Sequence, residues 1–330
     1  MDKYIITGFS GFVSRHFLHY LESRSEQVSV LGLDLHEPAF DVRDFRHLTC
    51  TFERVDLLDK ERMQNAIYQF QPNYILHLAA YSSVSFSWKN PILSFQNNTN
   101  IFLNLIEAIR LLRLSTRILS VGSSEEYGNV TERDMPLRED MPLKPVSPYA
   151  VARVSQEMLS QVYAKGFDVD VVITRSFNHV GPGQKDIFVV SSLAKQLAEG
   201  SKKHVRKLEV VTGDLSIIRD FTDVRDVVRA YYLLLKKGKK GEIYNVCSGR
   251  GVTLSEVLNV MGDYVGLEVE HRVDASLVRP QDNKMIIGSN KKIQHEVGWV
   301  PDIMLEKALK DVIDDWKRRL ESHVAGGSAT

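Results

Sequence analysis

The order of apolar runs and amphipathic segments predicts an α/β chain, a doubly wound parallel sheet followed by a smaller C-terminal α/β unit. Three observations carry this. Short apolar runs at 4–7, 28–33, 74–78, 117–121 and 171–174 alternate with segments of helical period. The first run meets a glycine turn that opens a helix, the start of a Rossmann-type domain. After about residue 175 the alternation loosens into glycine, proline and polar residues. The expected division is a dinucleotide-binding domain at 1–175, with 220–247 returning to it. A mainly substrate-binding domain follows at 176–322, and a disordered tail at 323–330.

Composition narrows the function. Lys+Arg and Asp+Glu both number 42, so the net charge is zero and no strong basic field exists to hold nucleic acid. No apolar stretch approaches the roughly 18 residues of a membrane span. The N-terminus runs straight into a strand without a signal-peptide pattern, which points to the cytoplasm. Cys50 and Cys247 are expected to be reduced and buried. No Cys/His cluster has metal-ligand spacing, so no metal is expected.

Taken in order, the chain first offers Gly8-Phe9-Ser10-Gly11-Phe12-Val13-Ser14. Gly8 permits a tight turn, and Gly11 lets backbone N–H groups approach a pyrophosphate at a helix N-terminus. Gly8, Ser10, Gly11, Phe12 and Val13 are therefore candidate cofactor contacts. The second run ends in Asp34, at the spacing where an acid takes ribose hydroxyls. A carboxylate there repels a 2′-phosphate, which favours NAD over NADP. A further run at 52–55 ends at Asp56-Leu57, candidates for the adenine edge. The run at 74–78 ends in Leu78 and leads into Ala79-Ala80, small residues that let a cofactor pass close to the backbone, so Leu78, Ala79 and Ala80 are candidate cofactor contacts. A long helix is expected over 91–113. The run at 117–121 then delivers Ser123, Ser124 and Glu125.

Tyr149 opens an amphipathic helix at about 148–165, and Arg153 follows four residues later on the same face. A fixed cation beside a phenol stabilises the phenolate, so such a pair can exchange a proton with a sugar or alcohol oxygen. Ser123 would hydrogen-bond the same oxygen. Residues 175–184 look like a binding loop. Thr222 or Asp223 is expected to cap a helix running through Tyr231 to Leu235. The lysines of 236–240 are expected on a solvated face, where they offset the helix dipole. Arg219 and Arg279 are either surface ion-pair residues or a clamp for a diphosphate.

Several stretches together resemble a known family. They are Thr7-Gly8-x-x-Gly11-Phe12, His77-Leu78-Ala79-Ala80, Ser123-Ser124-Glu125-Glu126-Tyr127-Gly128 and Pro148-Tyr149. Residues 177–184, 219–226 and 244–249 and Arg279-Pro280 add to them. The chain resembles extended short-chain dehydrogenases/reductases acting on nucleotide sugars. It is most similar to GDP-4-dehydro-6-deoxy-D-mannose reductases, which form GDP-D-rhamnose, with GDP-mannose 4,6-dehydratases as close relatives. The resemblance implies Tyr149 as general acid and Ser123 as the group orienting the C4 oxygen. Asn178, Arg219 and Arg279 would hold the phosphates, with Ser83 and Val189 also in the substrate site. The glycine loop, Asp34 and Asp56 would hold NAD or NADP. A homodimer would form through the helices at 91–113 and 148–165.

The alternative activity is a redox-neutral 4,6-dehydratase with retained NAD, for which Glu125 stands where the base would be, or an epimerase. A non-catalytic dinucleotide-binding module is a third reading. Three departures from the family pattern stand out. Arg153 replaces the usual lysine, Ser14 replaces the third glycine, and Ile101-Phe102 replaces a small pair, so the long helix should be crowded or change register.

Overall fold

The computed structural model describes residues 1–203, 205–277 and 283–326. The chain enters through β1 (Asp2–Thr7), α1 (Phe12–Ser23), β2 (Val28–Asp34), β3 (Leu48–Arg54), α2 (Lys60–Phe70) and β4 (Tyr74–His77). There follow α3 (Val84–Lys89), α4 (Pro91–Phe95), α5 (Ile101–Leu112), β5 (Arg117–Ser123), α6 (Pro148–Gly166) and β6 (Val171–Ser176). After β7 (Asn178–Val180), α7 (Val189–Lys202), β8 (Lys207–Thr212), β9 (Ile218–Asp223) and α8 (Val224–Lys237), β10 (Ile243–Val246) returns to the first sheet.

That sheet has seven parallel strands in the order β10-β6-β5-β4-β1-β2-β3. Successive strand residues face opposite layers, as a pleat requires. Tyr4 and Ile6 join α1 and α8 side chains in one core, and Ile5 joins α2 and α5 in the other. Likewise Leu119 and Val172 face the first, and Ile118, Val171 and Ile173 the second. With both faces covered, the strands read as continuous apolar runs. The order reverses between β1 and β4, and a crevice opens at the carboxyl ends of those strands.

The second unit joins β7, β9, β11 (Gly251–Thr253) and, after α9 (Leu254–Val265) and β12 (Glu268–Val273), β13 (Met285–Ile286). A separate pair, β8 with β12, lies beside it. Its core comes from α7, α9 and the last helix, which follows α10 (Lys291–Val297) as α11 (Leu305–Gly326).

Several expectations need correction. The helix α11 extends through Gly326, four residues into the expected tail; 327–330 lie outside the described residues, as does Arg279. The long helix is interrupted by a π turn over Gln96–Asn100, immediately before Ile101-Phe102. That is where the bulky pair was expected to change the register. Both residues are buried, and Phe102 packs on the His77 ring at 5.3 Å. The loop expected at 175–184 contains β7, because its backbone pairs with β9. Asp223, not Thr222, caps α8, accepting from the Arg225 N–H at 2.8 Å.

Lys236 is not on a solvated face. It is half-buried, bonded to Asp2, with its ammonium 4.1 Å from the Tyr74 ring centre and near Tyr4 and Tyr232. Cys50 is half-buried on β3 and Cys247 is buried just past β10; both are free, at opposite edges of the sheet. Among the described residues no helix is long and apolar enough to cross a membrane.

Candidate active site

The crevice between β1 and β4 is built by the glycine turn. Gly8 has φ +69°, and a Cβ there would lie 2.7 Å from the Ala79 backbone nitrogen. Only glycine lets β1 turn this tightly against the strand leaving β4. The Gly11 N–H donates to Gly8 O at 3.0 Å, and Gly11, the residue before α1, gives that helix no side-chain cap. The first-turn N–H groups thus point at the crevice with no side chain to satisfy them, which suits an anion. Ser14, where a third glycine was expected, is fully buried between helix and strand, so a small polar residue still fits. Phe12 and Val13 pack partly against the core. Phe12 stacks on His179 at 5.9 Å, which ties the turn to β7.

Asp34 ends β2 beside this turn. Its carboxylate accepts the Ser10 N–H at 2.9 Å and the His36 N–H at 3.2 Å, so it braces the loop as well as presenting a negative charge. Asp56 is exposed and accepts from the Leu58 N–H at 2.9 Å; the Leu57 side chain belongs to the core. Past β4, Ala79 donates its N–H to Thr7 Oγ1 at 3.3 Å, and Thr7 bonds His77 Nδ1 at 2.8 Å. Burial, with the Arg153 charge adding to it, holds His77 down to about 3, so its ring is neutral. The stretch after Ala80 is held by a residue the sequence did not single out. Asn98, in the π turn, accepts the Tyr81 N–H at 2.8 Å and donates to Tyr81 O at 3.1 Å.

Tyr149 and Arg153, the candidate pair for proton transfer, sit at the carboxyl end of β5. Ser147 caps α6 by accepting the Ala150 N–H at 3.1 Å, and Pro148 occupies the first turn. Tyr149 and Arg153 therefore share one face, both buried. Arg153 Nε donates to the Tyr149 hydroxyl at 3.3 Å. Its Nη1 donates to Val121 O at 3.1 Å and Gln156 Oε1 at 2.6 Å. Gln156 is itself fixed by donating to Ser120 Oγ at 2.9 Å. Gln156 went unnoticed in the sequence; its position three residues beyond Arg153 was the available signal. The phenol is thus inside the fold at the strand ends, not on the outer surface.

Ser123 ends β5 and starts a 3-10 turn over Ser124–Tyr127, its Oγ accepting the Glu125 N–H at 3.2 Å. Ser124 is buried and Glu125 partly exposed.

The substrate candidates lie on several elements. Ser83 caps α3, accepting the Phe86 N–H at 3.2 Å. Val189 is exposed at the start of α7. Asn178 is exposed on β7, opposite Phe221 of the paired β9. Arg219, on β9, is buried; its Nη1 donates to Ile218 O at 2.9 Å and Asn283 O at 2.8 Å. Asn178 and Arg219 are brought onto neighbouring strands, while Arg279 falls outside the described residues. Among the described residues no group of three or more His, Cys, Asp or Glu is placed to hold a metal.

Residues 5–312 match the family described as GDP-mannose 4,6 dehydratase. The chain belongs to that family. Within the GDP-mannose 4,6 dehydratase family and its neighbours, the chain is 30% identical over 319 residues to the GDP-6-deoxy-D-mannose reductase of Pseudomonas aeruginosa, covering 97% of this chain and 98% of the other. The solved structure of RMD from Pseudomonas aeruginosa, complexed with NADPH, superimposes with a TM-score of 0.84 at 31% identity, covering 97% and 100%. The UDP-glucose 4-epimerase of Thermus thermophilus, complexed with NAD, does so with a TM-score of 0.81 at 30% identity, covering 96% and 99%. The layered sheet and second unit described above are thus an extended short-chain dehydrogenase/reductase fold.

Proposed function

We propose that this protein is an NAD(P)-dependent reductase of a nucleotide-linked 4-keto-6-deoxy sugar, with GDP-4-dehydro-6-deoxy-D-mannose as substrate and GDP-D-rhamnose as product. One observation carries the reading. A phenol bonded to a guanidinium lies at the carboxyl end of β5, beside the crevice that the uncapped helix α1 opens onto. The family membership and the full-length likeness to a GDP-6-deoxy-D-mannose reductase support the substrate class.

The residues present fit a dinucleotide. Gly8, Ser10, Gly11, Phe12 and Val13 would take its pyrophosphate at the start of α1. Asp34 would take the ribose, and Asp56 and Leu57 the adenine edge. Leu78, Ala79 and Ala80 would pass beneath it. Asp34 favours NAD. Bound nicotinamide supplies the hydride. Tyr149 gives its phenolic proton to the C4 oxygen as the carbonyl becomes an alcohol, and Arg153 stabilises the phenolate that remains. Ser123 positions that oxygen from the neighbouring turn. Asn178, Arg219 and Arg279 would hold the diphosphate, with Ser83 and Val189 against the sugar and base.

A second reading, a redox-neutral 4,6-dehydratase, is favoured by Glu125 following Ser123 and Ser124 at a partly exposed position. Two arms separate the readings. GDP-mannose alone yields a 4-keto product only with a dehydratase. The 4-keto sugar with reduced cofactor gives falling cofactor absorbance only with a reductase.

The protein is read as a cytoplasmic homodimer. Val151, Met158 and Val162 are exposed along one stripe of α6, and Ile92 and Phe95 are exposed on α4. Apolar residues at helical spacing that face solvent in one chain suit a helix-on-helix interface with a second copy. Sedimentation at micromolar concentration tests this: a dimer is expected, and a monomer contradicts it.

A further inference from the structure

The reading above uses Ser123 and leaves Glu126 without a task. Yet Glu126 reaches back to the Ser123 main chain. Its Oε1 accepts the Ser123 N–H at 2.6 Å, and it is 0% exposed. Gly122 makes room for it, since a Cβ there would lie 2.4 Å from that oxygen. The 3-10 turn separates the two adjacent acids, leaving Glu125 partly exposed and sending Glu126 inward.

Glu126 is buried among charged groups from two other elements. Glu157, from α6, is 3% exposed and bonded to Arg175 of β6 through both oxygens, at 2.8 Å each. Arg175 also donates to Glu139 O at 3.2 Å, and its guanidinium lies 4.7 Å from the Tyr127 ring centre. The cluster thus holds two carboxyl groups and one guanidinium. The second oxygen of Glu126 is buried, and among the described residues no N–H or O–H group donates to it. The Glu126 carboxyl lies against Glu157, which offers only acceptor oxygens unless one proton is present. One proton on Glu126 turns that orphan oxygen into a donor and brings the cluster to neutrality.

We propose that Glu126 is a positioning residue for the reaction: a protonated carboxyl, shared with Glu157, that holds the Ser123 main chain beneath the sugar oxygen. This rests on the role given to Ser123 under the proposed function. Burial, then the Glu157 charge, lifts Glu126 well above the usual carboxyl range, against the opposing pull of the Ser123 N–H and Arg175. Losing this proton in alkaline solution sets two buried carboxylates against each other and loosens the turn that carries Ser123. Turnover then falls on the alkaline side for a reason separate from Tyr149.

The test uses the full chain with E126L and E126Q. Leucine fills the space but cannot accept the Ser123 N–H. It is expected to lower kcat by about tenfold or more, with cofactor KM little changed. Glutamine accepts from Ser123 and donates to Glu157 without titrating. It is expected to recover most of the kcat lost in E126L and to lack the alkaline fall of the wild type. E126Q as impaired as E126L, or an unaltered alkaline limb, overturns the proposal.

Two readouts need no turnover. The ligand-free wild type at neutral pH should show a carboxylic-acid C=O stretch in the infrared that E126Q lacks; its absence from the wild type overturns the proposal. The stability readout follows from linkage. A carboxyl raised on folding binds its proton more tightly in the native state, so wild-type stability falls as pH rises above the unfolded glutamate value of about 4.3. The Tm gain of E126Q over wild type should therefore be near zero at about pH 4 and grow toward neutrality. A gain equal at both pH values contradicts it. If no nucleotide sugar is turned over, the functional reading fails while these two readouts still decide the proton.

Discussion

Two arginines, 22 positions apart, are buried at the same end of the central sheet, and they are held in opposite ways. Arg175 is neutralised: Glu157 grips it through two parallel bonds at 2.8 Å. Arg153 meets only neutral partners among the described residues, a main-chain carbonyl, an amide oxygen and a phenol. A buried guanidinium without a carboxylate keeps its field for whatever faces it, here the Tyr149 oxygen. A buried guanidinium locked to a carboxylate spends that field on holding structure. Under the proposed function, this difference suits Arg153 to the chemistry and Arg175 to the frame beneath it.

The sharpest contrast comes from removing what each arginine faces. Tyr149→Phe deletes the proton donor and should cut kcat by about 10²–10⁴-fold while leaving Tm nearly unchanged. Glu157→Ala leaves Arg175 buried without its partner and should cost about 3–5 kcal/mol of stability, read by denaturant unfolding. If Tyr149→Phe destabilises and Glu157→Ala does not, the two roles are reversed.

Lysine replacements refine the comparison. Arg153→Lys keeps a cation beside the phenol and should hold kcat within about tenfold of wild type, or raise it. Arg175→Lys cannot reproduce two parallel bonds to Glu157 and should lower Tm clearly. Equal tolerance at both sites would remove the distinction. The smallest expected effect lies in the cofactor. Asp34→Ala removes the charge that opposes a 2′-phosphate and should shift NADP binding toward NAD binding by about tenfold, roughly 1.4 kcal/mol, in a thermal-shift titration.

What the sequence revealed follows the same division. Gly8 and Gly11 were legible because turn chemistry is local, and Tyr149 with Arg153 because helical spacing is local. The parallel sheet was legible because strands covered on both faces read as apolar runs. What escaped depends on contacts across the chain. Lys236 reads as a solvated helix end until Asp2, Tyr4 and Tyr74 are folded around it. Glu125 and Glu126 are indistinguishable in a string; only a 3-10 turn leaves one partly exposed and buries the other. Arg219 is buried on β9 and bonds main-chain carbonyls of Ile218 and Asn283, contacts that no sequence pattern announces.

The most direct test of the central claim follows reduced cofactor by absorbance. The purified protein is mixed with GDP-4-dehydro-6-deoxy-D-mannose and NADH or NADPH, alongside Tyr149→Phe. The account predicts that absorbance falls with wild type and holds nearly flat with the variant. No fall with wild type, or an equal fall with both, would contradict it.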